Sequence, residues 1–261
     1  MDNQNEIVNL LWTGGWDSTY RLVELSRTNQ VIQPIYVYGN GRKSEHYEIK
    51  AMEKILGMLK TKNETIAEIL PIEYVHIDSI KFNEEISQAF YNIKNEIHLG
   101  MQYEWLPCLA LEYPNLEIGI EKAPPQQSGA INAITNYGKM DYIEELDTHQ
   151  LNIEKSTNDL SLLFKNLRFP IIDKDGNDMI NNIKNWGYED VMENVWMCFT
   201  PIFGEPCGTC NPCKSKMETG MEFLLTSNSI KRYKNRNNNL SKKKDDLLKF
   251  ISRHLDKIRF S

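Results

Sequence analysis

The sequence predicts an α/β fold: a Rossmann-like parallel sheet with helices on both faces, then a small metal-binding region and a last helix. Three observations predict it. Apolar runs of strand length alternate with stretches of helical periodicity through the first half of the chain, the pattern of crossovers over a parallel sheet. The first run leads into Thr13-Gly14-Gly15-Trp16-Asp17-Ser18-Thr19, a glycine turn that opens a helix. Four of the five cysteines fall within 16 residues late in the chain.

Taken in order, Ile7 to Trp12 reads as a buried strand and residues 17–27 as a helix. Val31 to Tyr38 is a second apolar strand, closed by the turn Gly39-Asn40-Gly41. Ser44 to Lys60 carries Ile49, Met52, Leu56 and Leu59 at helical spacing. Ile72 to Ile77 reads as a third strand. Helices follow over 83–98, with Ile86, Phe90, Ile93 and Ile97 on one side, and over 101–112. Pro114-Asn115 breaks that pattern, and Leu116 to Ile120 is a fourth strand. The middle, 130–167, is mixed in pattern and expected to be helical. Phe169 to Ile172 reads as extended, and Asp178 to Trp186 as a helix stopped by Gly187. Another helix starts at Tyr188. Residues 227–240, rich in Asn and Lys, read as a linker. A last amphipathic helix, Ser241 to Arg259, has an apolar stripe of Leu247, Phe250, Ile251, Leu255 and Ile258.

The glycine turn has a chemical reading. Glycines let a backbone approach a phosphate, and a helix N-terminus offers unpaired N–H groups in a favourable dipole. Ser18 and Thr19 add hydroxyl donors. Asp17 would repel a phosphate unless a cation lay between them, which points to Mg²⁺. An ordinary strand-to-helix turn with Asp17 as its cap is the plain alternative. In parallel sheets ligands gather at the carboxyl ends of the strands. That rule puts the Thr13–Thr19 loop, the Gly39–Gly41 turn and the segment after Ile120 on one edge. Glu121–Gly129, with Glu121, Lys122 and Gln126 among its polar groups, is therefore the expected substrate loop.

Composition sets bounds. In 261 residues, 41% hydrophobic and 25% charged, there is material for one substantial core. No apolar run approaches the roughly 20 residues of a membrane span. The polar, acidic opening Met1–Glu6 is not patterned as a signal peptide, so a cytoplasmic location is expected. The net charge of −6 is unevenly spread: residues 229–261 hold eleven Lys and Arg against three Asp, a net +8, leaving −14 on the rest. Such a tail suits an anionic partner, nucleic acid or the acidic body itself, though a solvated helix face is the simpler explanation.

Cys198-x8-Cys207-x2-Cys210-x2-Cys213, punctuated by Gly204, Pro206, Gly208 and Pro212, supplies four thiolates on tight turns. A fully ligated structural Zn²⁺ is expected; the spacing also admits an iron–sulfur cluster or a redox pair. Cys108, inside Leu106-Pro107-Cys108-Leu109-Ala110, reads as a small buried hydrophobe.

The loop Thr13-Gly14-Gly15-Trp16-Asp17-Ser18 resembles the S-G-G-x-D-S loop of the PP-loop ATP pyrophosphatases, with Thr13 for the first serine. It lacks the G-K-[ST] ending of a Walker A loop. Joined to the cysteine motif, it resembles the QueC family of 7-cyano-7-deazaguanine synthases. Tyr38-Gly39 with Arg42 and Glu45, Trp196-Met197-Cys198-Phe199, and Cys207-Gly208-Thr209-Cys210-Asn211-Pro212-Cys213 carry the likeness, which spans about 7–220. The resemblance implies an ATP-dependent ligase forming carbon–nitrogen bonds, with ATP, Mg²⁺ and Zn²⁺ as cofactors. It implies adenylation of 7-carboxy-7-deazaguanine and transfer to ammonia, giving the amide and then the nitrile. It further implies roles in catalysis for Asp17, Ser18 and Arg42. Nucleotide binding would fall to Thr13, Gly14, Gly15, Asp17, Ser18, Thr19, Tyr38 and Gly39. Glu45 would join Glu121, Lys122 and Gln126 on the substrate, and Cys198, Cys207, Cys210 and Cys213 would hold the metal.

The chain departs from that family in places. The V-P-G-R-N stretch is missing, Trp105-Leu106-Pro107-Cys108 being nearest. The late lysine is displaced, with Lys174 and Asp178 flanking the expected position, and Lys214-Ser215-Lys216 follows the last cysteine. Relatives in anti-phage operons, thought to join the activated deazapurine to a protein amine, suit such a divergent chain. A tRNA-modifying PP-loop enzyme and a zinc-stabilised binding module with a dead ATP site stand as the other readings, and a homodimer is left open. The expected division is 1–195 for the PP-loop domain, 196–226 for the cysteine region and 227–261 for the basic linker and helix.

Overall fold

The computed structural model describes residues 7–260, and of 257–260 the backbone alone. Met1–Glu6, Ser261 and the side chain of Ile258 lie outside the described residues. In chain order the elements are β1 (Val8–Leu11), α1 (Trp16–Ser26), β2 (Val31–Tyr38), α2 (Glu45–Leu59), β3 (Glu68–Ile69), β4 (Glu73–His76), α3 (Glu84–Glu96), α4 (Gln102–Glu112), β5 (Leu116–Glu117), α5 (Gly129–Tyr137), β6 (Met140–Ile143), β7 (Thr148–Leu151), α6 (Asn158–Phe164), β8 (Leu167–Arg168), α7 (Gly176–Trp186), α8 (Glu189–Met192), α9 (Asn211–Glu218), α10 (Ser227–Lys234) and α11 (Asn239–Phe260). The fold is α/β, with a mostly parallel central sheet flanked by helices. By compactness the chain divides into two units interleaved along the sequence. One comprises residues up to 12, 17–40 and 62–186; the other comprises 13–16, 41–61 and 187 onward.

The first unit holds the whole sheet, in the order β3-β2-β1-β5-β8-β7-β6, with β4 also on β2. β3 and β4 pair with the first and second halves of β2 as one edge strand interrupted around Pro71, which has no N–H to give a ladder. β1 runs parallel to both β2 and β5, so the connections leave it in opposite directions and β1 lies at the switch point. The core beneath the sheet is built from Ile35, Phe90, Leu106, Leu163, Phe164 and Phe169, all buried.

Several expectations need correcting. The middle of the chain does hold helices, α5 and α6, but between them β6 and β7 form an antiparallel hairpin that the expectation lacked, and β7 also pairs antiparallel with β8. Its strands are four residues each, too short to set a period, and its turn uses Asp147 at φ 44° where a glycine would have signalled it. The extended segment lies at Leu167–Arg168 rather than Phe169–Ile172. The fourth strand stops at Glu117, although Ile118 N–H still reaches Arg168 O at 3.0 Å.

In the second unit, α2 buries Glu48, Ala51, Met52, Ile55 and Leu59 and meets α8. The expected linker 227–240 is largely α10, capped by Thr226 accepting the Ser229 N–H at 3.2 Å. Its polar composition hid a helix held by tertiary hydrogen bonds. No helix among the described residues is long and apolar enough to cross a membrane.

Candidate functional site

At the carboxyl edge of the sheet, in the first unit, α1 begins directly after the β1 turn. Asp17, Ser18 and Thr19 occupy its first turn, with Ser18 nearly and Thr19 fully buried. The Thr19 hydroxyl accepts the Trp12 indole N–H at 3.0 Å and fastens the helix start to the end of β1. Gly119, just past β5, backs onto this turn: a Cβ there would stand 2.8 Å from Ser18 N and 3.0 Å from the Asp17 carbonyl carbon. Only glycine lets β5 and α1 come so close. Gly119 falls inside the run that reads as the fourth strand, where a glycine signals close backbone approach.

On the same edge, Gly39 has φ 80°, and a Cβ there would lie 2.4 Å from His76 Nε2. Tyr38 meets the His76 ring edge to face at 5.0 Å. His76 thus joins Tyr38 and Gly39, a neighbour that their own spacing did not reveal. Of the expected substrate loop, Lys122 and Gln126 are exposed and Glu121 half-buried. Lys122 N–H donates to Lys174 O at 2.9 Å, and Lys174 Nζ reaches Pro170 O at 3.1 Å and Glu24 at 3.8 Å.

In the second unit, the Thr13–Trp16 segment is gripped from two directions. Gly14 has φ 67°, and a Cβ there would meet Met52 Cγ at 3.0 Å and Glu48 O at 3.2 Å. Its carbonyl accepts the Trp196 N–H at 2.8 Å. Trp196 stacks on Tyr47 with ring centroids 4.7 Å apart, and its indole N–H donates to Cys198 O. Arg42 pairs with the buried Glu48 at 3.5 Å, and Ser44 Oγ–H donates to the same carboxylate at 2.6 Å. Glu45 opens α2.

Two residues past Trp196 the cysteine cluster begins. The sulfurs of Cys198, Cys207, Cys210 and Cys213 all lie within 4.8 Å of one another, and those of Cys198 and Cys210 are 3.9 Å apart. A tetrahedral metal with M–S bonds of about 2.3 Å sets its sulfurs about 3.8 Å apart, so these four could hold a metal such as zinc. Donors gather on two of the sulfurs. Cys198 Sγ accepts the Cys207 N–H at 3.1 Å, and Cys207 Sγ accepts the N–H groups of Cys210 and Thr209 and the Thr200 hydroxyl at 3.2 to 3.3 Å. The sulfurs act on one another: Cys207 is pulled far below the usual thiol range, by Cys198 first, while Cys198 is pushed up, by Cys207 first, and so is Cys213, by Cys198 first. Cys210 is lowered to about 7, again chiefly by Cys198. α10 supports the knuckle: Arg232 donates to Cys207 O and Pro206 O, each at 2.9 Å, and Ser229 Oγ donates to Pro206 O. Gly208 has φ 76°, and Ser229 O would lie 2.1 Å from any Cβ there.

No protein-family model and no curated protein matches the chain. The site's chemistry therefore rests on its own residues.

The basic tail is structured too. Lys231, Arg232, Asn235 and Lys244 line a cleft of about 320 Å³ between α10 and α11, and Lys214, Arg236, Lys242 and Lys249 line another of about 270 Å³.

Proposed function

We propose that this protein is an ATP-dependent ligase of the QueC type, built on a Rossmann-like, adenine nucleotide alpha hydrolase-like sheet and working in the cytoplasm. It would adenylate the carboxylate of 7-carboxy-7-deazaguanine and pass the acyl group to an amine. The observation that carries the proposal is the Thr13-Gly14-Gly15-Trp16-Asp17-Ser18 turn between β1 and α1, with Gly14 left-handed and the helix start laid against Gly119. The strand it leaves, β1, is the switch strand of the sheet, and parallel sheets take their ligands where such strands end.

The chemistry follows from a leaving-group problem. A carboxylate oxide is a poor leaving group, and transfer to the α-phosphorus of ATP converts it to AMP. The carboxylate oxygen attacks that phosphorus, the bond to the bridging oxygen breaks, and pyrophosphate departs with the electron pair. Backbone N–H groups around Gly14 and Gly15 and the Ser18 hydroxyl would donate to oxygens on which charge builds. Asp17 would hold Mg²⁺, which supplies charge neutralisation when bound. Arg42, oriented by Glu48, offers a guanidinium for phosphate. An amine nitrogen then attacks the acyl carbon, AMP leaves and the nitrogen loses a proton. With ammonia the product is the amide, and a second ATP would activate the amide oxygen for loss as the nitrile forms. The four cysteines fit a closed, structural Zn²⁺.

The test is direct. The protein is incubated with Mg-ATP, 7-carboxy-7-deazaguanine and either ammonia or a candidate protein amine; pyrophosphate and AMP are measured and products weighed. Pyrophosphate release that needs the carboxylate, with the amide, the nitrile or a protein adduct as product, is expected. Absence of pyrophosphate with every acceptor sinks the proposal.

A further inference from the structure

The last helix packs with its amphipathic pattern reversed. α11 turns Asp245 and Ser252 into its own unit, 7% and 1% exposed. Ser252 Oγ accepts the Phe203 N–H at 2.8 Å, and the Tyr47 hydroxyl donates to Asp256 at 3.2 Å. Outward go the apolar residues: Leu240 is 79% exposed, Leu247 59%, Phe250 57%, Ile251 40% and Leu255 52%. At 100° per residue these five fall in an arc of about 140°, and they run for about 22 Å along the axis. Phe203, 53% exposed, is tied by its amide to the same helix. Single exposed apolar residues are ordinary; five on one side of a helix that buries Asp245 and Ser252 on the other mark an interaction surface.

Charge says what fits it. Lys243 and Lys244 stand exposed within the arc, and residues 227–256 carry nine Lys and Arg against three Asp. A second copy would bring those lysines into a shared apolar seam between two helices of like charge. A flat anionic membrane would have to approach the acidic remainder of the chain, −14 over residues 1–228, whereas a single helix need meet only α11. Phosphate backbones make no use of Leu and Phe in a stripe. We propose that the outward face of α11 is the docking surface for a partner protein's acidic amphipathic helix, seated Leu-to-Leu along the stripe with its carboxylates on Lys243 and Lys244. The surface is independent of the reaction proposed above, and its test reads binding rather than turnover.

The probe is a four-heptad peptide with Leu and Ile at the seam and Glu on both flanks, whose self-pairing the glutamates suppress. Binding to the full chain is measured by calorimetry at low and high salt. The same sequence with Lys flanks, and phosphatidylglycerol–phosphatidylcholine vesicles, serve as comparisons, and sedimentation of the chain alone reports self-association. The expected result is binding of the Glu peptide that weakens with salt and falls by about tenfold or more in L247S/I251S, whose exposed positions leave thermal unfolding unchanged. Failure of the Glu peptide to bind, equal binding of the Lys peptide, or equal binding by the variant overturns the proposal. So does vesicle binding or self-association of the wild type that the same variant abolishes.

Discussion

Arg21 and Glu117 form a two-pronged ion pair, Nε to Oε2 at 2.8 Å and Nη2 to Oε1 at 2.9 Å, with both residues almost wholly buried. The pair joins α1 to β5 beside the switch point. Burial opposes the charge on Arg21, yet Glu117 and then Glu24 outweigh it and raise its pKa. Removing Arg21 strands Glu117 in the interior, while removing Glu117 leaves Arg21 on Glu24 alone, 2.7 Å from Nη1. Arg21→Met should therefore cost about 3–5 kcal/mol and Glu117→Leu less, while the two together should cost less than Arg21→Met alone. Guanidinium unfolding of the two single variants and the double variant gives the coupling directly; additive losses would mean that the pair contributes little beyond its packing.

Tyr103, on α4, is buried, and burial pushes its phenol up to about 12. Between pH 10 and 12 the unfolded chain releases this proton and the folded chain keeps it. The folded state then binds more protons, so stability is level below pH 10 and falls as pH rises through that window, by about 2–3 kcal/mol for two pH units. Tyr103→Phe should remove that part of the alkaline slope. Denaturation midpoints at a series of alkaline pH values, beside the phenolate absorbance of the folded protein, check it.

Gly119 should tolerate no side chain. In Gly119→Ala the new Cβ meets the backbone of Asp17 and Ser18, which cannot swing away as a flexible side chain would. Overpacking of this kind costs about 1–3 kcal/mol. If the turn binds nucleotide, the displaced Ser18 amide should lower ATP affinity by more than the loss of stability explains. Nucleotide titration and thermal unfolding of the same variant separate the two effects; unchanged affinity would remove this turn from the binding site.

The long, strongly periodic elements were legible from composition and spacing, and the short ones were not. β2 and α2 carry enough apolar positions to declare their period and their ends, and Gly187 marks the end of α7 at φ 74°. The β6–β7 hairpin and α10 are specified by their partners: Asp147 in a turn without glycine, and Ser229 and Arg232 bonded to the Pro206–Cys207 backbone. In the site, motif residues were visible because glycines and cysteines are constrained by chemistry. Their supports were not: Glu48 under Arg42 and His76 against Gly39 are brought in by tertiary contact, which no fixed spacing announces, and Trp196, visible in the cysteine motif, gave no sign that its amide reaches Gly14. The reversed face of α11 was hidden in another way, because periodicity gives an amphipathic stripe but not the direction in which it points.

The cysteine cluster and the glycine turn share one piece of backbone. Trp196 N–H holds Gly14 O, and two residues on Cys198 enters the cluster. Metal release should therefore loosen the turn as well as the knuckle. Metal analysis should find about one ion per chain, lost in Cys207→Ser, whose sulfur gathers donors from Thr200, Thr209 and Cys210. Thiol counting gives an independent readout. Chelation should expose four reactive thiols, while Cys108, buried and with its pKa raised first by that burial, should react only on unfolding. Hydrogen exchange at Trp196 should accelerate on chelation, because its amide proton is the one that bonds Gly14. Metal loss with full protection retained at Trp196 would show the turn standing without the cluster, and would confine the metal's role to residues 198–213.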